Sequence, residues 1–306
     1  MTTRAAPLTD AIDPYLIPAL DGVAYGLLLF VAASGLVLCF GVANILNLAH
    51  GALYAVGAYT VAVLADASWG SLALALVVGV AAGAGAGGVL AGLLAPVVRR
   101  DHLTQALLTF GVALVGSALL VAAFGPDSLP VRIPAALDGT VEVAGHRYPA
   151  YRLGFIAVAG LIAVALTLVV ARTRVGMLVR ATVDDADMVA CLGVNPARVR
   201  LGVLVAAGAL AGVAGVLGAP IIGPAPTTAD TVLMLGLVVV VLGGLDSVRN
   251  TLLAALAVGE IQTLGVALTP AVAPFLLFTA MAAVLAVRSR GVPAWWRFRP
   301  RWGGTT

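Results

Sequence analysis

The residues able to do more than pack are few, and they fall in two kinds of place. Arg180, Asp184, Asp185, Asp187 and Gly193 lie within residues 172–200, the one long charged stretch between two apolar blocks. Three carboxylates so close together have the look of a metal or acid site, but no histidine or fourth ligand stands near them. They read instead as a solvated lever that a soluble partner can push. The other candidates sit inside apolar sequence. Asn44, Asn47 and His50 recur every three residues in ANILNLAHGALYAVGAY, and Glu260 and Gln262 interrupt LLAALAVGEIQTLGVAL. On a helix the first three would form one stripe. That stripe either hydrogen-bonds between helices at a break, with Gly51 and Gly57 allowing close approach, or lines a translocation path. A carboxyl at position 260 must be protonated, paired or exposed to a water-filled path.

What must hold these groups is oil. The chain has 306 residues, 61% hydrophobic and 10% charged, with a mean hydropathy of +1.09. Soluble domains carry about a quarter charged residues, so this is an integral membrane protein. At about 20 apolar residues per crossing, nine blocks emerge: 22–43, 44–65, 72–95, 103–123, 153–171, 201–222, 231–245, 250–268 and 271–287. None shows the alternation of a barrel strand, so helices must satisfy the backbone in lipid. The expected fold is all-α, a polytopic transmembrane bundle of about 8–10 spans, some broken or re-entrant, in a single domain over residues 1–306. The boundary between the first two blocks, at Ala43 and Asn44, is the place for such a break.

All 17 basic residues are arginine. Thirteen lie in the 96–102 linker, the 172–200 loop, the turn at Arg249 and the tail at 288–306; the other four are Arg4, Arg132, Arg147 and Arg152. By the positive-inside rule the first group is cytoplasmic, which puts the C-terminus inside. Nine crossings then leave the N-terminus outside, whereas a broken or re-entrant segment between the first two blocks flips it. Trp295, Trp296 and Trp302 in the tail suit the headgroup zone. Residues 1–20 carry Arg4, Asp10 and Asp13 and show no cleavable signal.

Several chemistries drop out. Gly83, Gly85 and Gly88 spell a dinucleotide fingerprint, but they lie inside an apolar block with no strand before it, and a phosphate loop needs a lysine the chain lacks. Any nucleotide-driven work therefore falls to another subunit. Cys39 and Cys191, one in a span and one in a cytoplasmic loop, cannot pair and read as small apolar fillers. The pairs Gly22/Gly26, Gly83/Gly87, Gly88/Gly92 and Gly208/Gly212 predict close helix contacts. Thr104, Gln105 and Thr109 read as interfacial, and Asp246 beside Arg249 as a local cap or ion pair.

The charged loop has the clearest local grammar. Thr182 followed by Asp185 reads as a capping box, with Asp184 and Asp185 in the first turn of a short helix. That helix runs to Leu192 and stops at Gly193, and Asn195-Pro196 caps and starts the next one. On the other side, residues 124–152 form the one sizeable external loop, where Thr140 to Val143 starts a small hairpin. It offers a surface to an external delivery protein.

Three runs carry a resemblance to a known family. NILNLAHGALYAVGAY resembles the N-F-A-H-G-x-x-Y-x-x-G-x-Y signature of the branched-chain amino acid permeases of ABC importers. RVGMLVRATVDDADMVACLGVN resembles their R-x-G-x-x-x-R-A stretch with A-x-x-x-G-[IV]-N. VVLGGLDSVRNTLLAALAVGEIQTL is similar to their A-x-x-G-G-x-G-S-x-x-G segment. Leu48 stands where the family has phenylalanine, and Asp246 and Asn250 where it has glycine. The resemblance spans residues 20–292. It implies that helix 183–192 is a coupling helix seated in an ATP-binding cassette ATPase subunit, with Arg180, Asp184, Asp185, Asp187 and Gly193 at the contact. It also implies a bacterial inner-membrane location, a second homologous permease or a homodimer, an external substrate-binding protein, membrane lipid around the spans, no cofactor and no nucleic acid. Leucine, isoleucine and valine are the expected cargo; relatives carry urea or short amides. An ion-coupled secondary transporter would show inverted repeats and more midplane charge than Glu260 alone.

Overall fold

The computed structural model describes residues 8–43, 45–97, 101–143, 145–244 and 248–289. The elements run α1 Leu8–Ala43, α2 His50–Leu64, α3 Trp69–Leu94, α4 His102–Phe124, β1 Thr140–Val143, β2 His146–Pro149, α5 Ala150–Arg172, α6 Arg174–Asp184, α7 Ala186–Cys191, α8 Pro196–Ile222, α9 Thr228–Gly243, α10 Val248–Leu268 and α11 Ala273–Ser289. Each of the nine apolar blocks has become a helix. Among the described residues six are long and apolar enough to cross a membrane: α1 (over Tyr15–Gly41), α3, α4, α5, α8 and α10. The stretches His50–Leu64, Thr228–Gly243 and Phe275–Ala286 are shorter.

The lengths of α2 and α9, 15 and 16 residues, give about 22–24 Å at 1.5 Å per residue, short of a hydrocarbon core about 30 Å thick. Irregular backbone precedes each of them, at 45–49 and at 223–227. Non-helical backbone survives at membrane depth only when protein covers and satisfies it. Before α9 the satisfying group is Thr228, 4% exposed, whose hydroxyl donates to Gly223 O (2.9 Å) and accepts from Ala225 N (3.1 Å).

The bundle is built around α1. Its residues 24–37 are almost all buried, enclosed by α8, α9, α10 and α5. Small residues set the distances, since lipid exerts no hydrophobic pressure to bring helices together. A Cβ on Gly26 would lie 2.8 Å from Ala255 O, and one on Gly259 2.3 Å from Gly22 O. The α3–α8 contact is closer still. Added Cβ atoms at Gly83 and Gly87 would stand 2.4 and 2.3 Å from Gly208 O and Leu204 O. Three of the four expected glycine pairs thus pack helix on helix. The fourth, Gly88/Gly92, does not: a Cβ on Gly88 would meet only Val205 Cγ2, at 3.6 Å, and one on Gly92 nothing within 4 Å.

At the other extreme are α4 and α5. Leu103, Leu107, Leu114 and Leu119 on α4, and Leu161, Val164 and Leu168 on α5, are all more than half exposed, as surfaces that face acyl chains or another subunit must be. The hairpin appears where the alternating run placed it, antiparallel with Thr140 opposite Pro149 and Val143 opposite His146. Tyr148, fully buried, donates to Asp21 on α1 (2.9 Å), and Arg152 pairs with the same carboxylate. Burial, then the Asp21 carboxylate, hold the Tyr148 phenol above its ordinary pKa. This contact puts the start of α1 on the hairpin side. Its end packs with Leu90, Leu94 and Val179 on the arginine-rich side.

Candidate functional site

The charged loop folds as two helices, not one. Thr173 caps α6 by accepting from Gly176 N (3.2 Å). The bend into α6 is so tight that a Cβ on Gly176 would lie 2.3 Å from Val170 O. The Arg180 guanidinium donates to that same Val170 carbonyl and so caps the end of α5. Val179 and Thr182 face inward. Thr182 is not the cap the sequence suggested, because its hydroxyl is spent on Leu178 O (2.8 Å) in its own helix. Asp184 closes α6; its side chain lies outside the described residues.

The cap falls to Asp185, whose extended backbone interrupts the helix and whose Oδ1 accepts from Asp187 N (3.0 Å) and Met188 N (2.9 Å). The short helix is therefore α7, Ala186–Cys191, rather than 183–192. It ends as expected: Gly193 takes φ +82°, a conformation glycine adopts without penalty. Asn195 Oδ1 then accepts from Ala197 N (2.9 Å), with Pro196 opening α8. One face of α7 is anchored by Val189, 2% exposed. Next to it Met188 and the C-cap residue Leu192 are 59% and 74% exposed, beside the exposed Asp185 and Asp187. This is an apolar knob rimmed with negative charge.

The second candidate region is the break before α2. Asn44 lies outside the described residues, and residues 45–49 are not helical, so Asn47 and His50 do not share a helical stripe. The three-residue spacing suits a helix, but Asn47 instead folds the chain into a turn, its Oδ1 accepting from Ala49 N (3.1 Å). Both side chains are 1% exposed. His50 Nε2 is 2.8 Å from Ala32 O, so that nitrogen carries the proton, and Nδ1 has no hydrogen-bond partner among the described residues. The ring fits because residue 35 is glycine: a Cβ there would stand 2.4 Å from His50 Cε1. Cys39 lies against Asn47 Nδ2 (3.8 Å).

Thr109 holds this break to α4. It accepts from Leu48 N (3.1 Å) and points its hydroxyl at Leu46 O (3.0 Å) and Ala106 O (3.0 Å). Thr109 and Gln105 are buried, at 0% and 3% exposure, so the interfacial reading of both is overturned. Their four-residue spacing on an otherwise apolar helix was the available signal.

Glu260 is elsewhere. Its carboxyl lies on Gly22 of α1, where a Cβ would be 2.5 Å from Oε2, and Oε2 is buried without a partner among the described residues. Gly22 and Ala32 are ten residues apart on α1, so Glu260 and His50 stand roughly 15 Å apart along its axis. The structure thus does not gather the sequence-selected polar groups into one cluster. It also adds Asp21, which the sequence reading had not singled out. Among the described residues no three His, Cys, Asp or Glu side chains are placed to hold a metal. Cys39 is buried and Cys191 exposed, both free. Asp246 and the tail tryptophans lie outside the described residues.

Comparison with known proteins matches residues 19–287 to the family model described as branched-chain amino acid transport system, permease component. The permease protein LivH of the high-affinity branched-chain amino acid transport system from Escherichia coli K12 is 26% identical over 297 residues, covering 91% of this chain and 95% of its own. LivH of Salmonella typhimurium is 25% identical over 296 residues, with the same coverage. BraD of Pseudomonas aeruginosa is 25% identical over 264 residues, covering 82% of this chain and 86% of its own. No solved structure matches.

Proposed function

The chain belongs to the branched-chain amino acid transport permease family, and from that premise we propose that it forms the membrane path of an ATP-driven importer for leucine, isoleucine and valine. It is a permease subunit of an ABC importer rather than an enzyme. In our reading α7 is the coupling helix. ATP-binding cassette ATPase subunits grip it from the cytosol, a second permease subunit completes the path, and an external binding protein delivers cargo to the hairpin side. The observation that carries this is the build of α7. A helix that existed only to close a loop would not leave Met188 and Leu192 exposed beside two carboxylates, because exposed apolar groups beside charge mark a protein contact. Cationic residues around an apolar pocket are the complementary surface.

The test uses the full importer in vesicles with radiolabelled leucine. Asp187→Arg reverses the rim charge at a side chain that holds no described structural bond. Leucine uptake and transport-coupled ATP hydrolysis are expected to fall at least about tenfold, the effect of losing about 1.4 kcal/mol at a desolvated charge contact, while the amount of permease in the membrane stays the same. Uptake unchanged in that variant would remove α7 from the coupling role. A wild-type importer that hydrolyses ATP but takes up no leucine would displace the cargo alone.

The same reading places α7 and the C-terminus in the cytosol. Cys191 is exposed and Cys39 buried, so the chain carries its own reporter of sidedness. With the permease expressed without its ATPase, an impermeant maleimide is expected to label inside-out vesicles and spare intact spheroplasts. Labelling of spheroplasts alone would invert the orientation.

A further inference from the structure

The α3–α8 contact is backbone to backbone as far as Gly87 and then opens. At Gly88 an added Cβ would meet only Val205 Cγ2, at 3.6 Å; at Gly92 and at Gly202 it would meet nothing within 4 Å. The opening is a groove of about 300 Å³ between Gly88, Gly92 and Ala95 of α3, Arg200 and Leu204 of α8, and Ile45 of the break. Arg200 is the single charged residue in that lining among the described residues. It lies one turn inside the start of α8, half-buried, and among the described residues no hydrogen bond or ion pair engages it.

In the proposed orientation a guanidinium at the arginine-rich end of the bundle lies near the cytoplasmic headgroups. Left unpaired and half-buried, it is costly; its natural partner is an anion that reaches it from the membrane. We propose that the groove is a binding site for one anionic phospholipid, its phosphate on Arg200 and an acyl chain laid along Gly88 and Gly92. Two features choose this occupant. The groove is apolar along its length and cationic only at its mouth, which matches a hydrocarbon chain ending in a phosphodiester and does not match a zwitterion as well. The missing side chains at Gly88 and Gly92 leave room for that chain between α3 and α8. The bound lipid would touch α8, the helix that continues directly from α7, and Ile45 of the break, so its presence bears on how those two segments move against each other.

Native mass spectrometry of the purified full chain, titrated with phosphatidylglycerol or phosphatidylcholine of the same acyl chains, reads the site. The wild-type protein is expected to retain phosphatidylglycerol about fivefold more, the counterpart of about 1 kcal/mol for one arginine near an anionic surface. Arg200→Ala is expected to erase that preference. Gly92→Leu fills open space, so the fold is kept, and is expected to lower retention of phosphatidylglycerol to the phosphatidylcholine level. Arg198→Ala, at an exposed neighbour outside the groove, is expected to leave the preference intact. A preference that survives Arg200→Ala or Gly92→Leu overturns the site. So does an equal loss with Arg198→Ala, which would mean a diffuse attraction of the whole surface.

Discussion

Gly208→Leu is expected to leave no folded permease in the membrane. A Cβ at 208 would stand 2.2 Å from Gly83 O and 3.1 Å from Gly87 Cα. Both obstacles are backbone, which cannot rotate out of the way as a side chain would. The two helices must separate, and they are the pair on which α2 also closes, since Gly57 and Gly215 make similar contacts with Gly212 O and Tyr54 O. Overpacking a well-filled interior costs about 1–3 kcal/mol when side chains can adjust; here they cannot, and the cost lies at or above the top of that range. The check is the yield of monodisperse protein after detergent extraction, with Gly85→Leu as the control. Gly85 is in the same helix and has nothing within 4 Å of its missing Cβ, so that variant is expected to purify like the wild type. Equal yields from Gly208→Leu would mean that α3 and α8 are not in backbone contact.

The second large effect belongs to Thr109→Val. Valine keeps the shape of threonine and removes only the hydroxyl, stranding Leu48 N and Leu46 O in a stretch of backbone with no helix of its own to satisfy them. A buried polar group without a partner costs about 1–3 kcal/mol. Little else compensates, because α4 is set off from α2 and α3 by an apolar cleft of about 250 Å³ lined by Leu53, Leu90, Val112 and Gly116. The thermal midpoint of the purified protein should fall by several degrees and leucine uptake with it. Thr109→Ser, which restores the hydroxyl, should recover most of both. A serine variant no better than valine would place the importance of the site in packing rather than in the hydrogen bonds.

Much of this architecture could be read from the chain because it rests on composition and on strong local signals. Nine apolar blocks became nine helices, since lipid leaves the backbone no cheaper arrangement. Gly193 and Asn195-Pro196 landed at the stop and the start they encode, because each acts through its own backbone. The errors came where a local pattern had two outcomes and tertiary contacts chose between them. The spacing of Asn44, Asn47 and His50 is equally at home on a helix and in a turn; the hydroxyl of Thr109, sixty residues away, makes the turn affordable. Thr182 and Asp185 were both plausible caps, and Thr182 was already committed to Leu178 O. Gly88/Gly92 has the same spacing as Gly83/Gly87 but lies where α3 and α8 have already parted. Nothing near Asp21 announces that Tyr148 and Arg152 will come to it.

The central position of α1 constrains the order of assembly. It leaves the ribosome well before α10, yet the residues that close on Gly22 and Gly26, namely Ala255, Leu256 and Gly259, belong to that later helix. Until then the helix that becomes the interior has only lipid for company, and the small residues that later admit α10 lie open to whatever else diffuses past. A late helix thus seals an early one, and a chain cut short before α10 would expose the surface on which the rest of the protein depends.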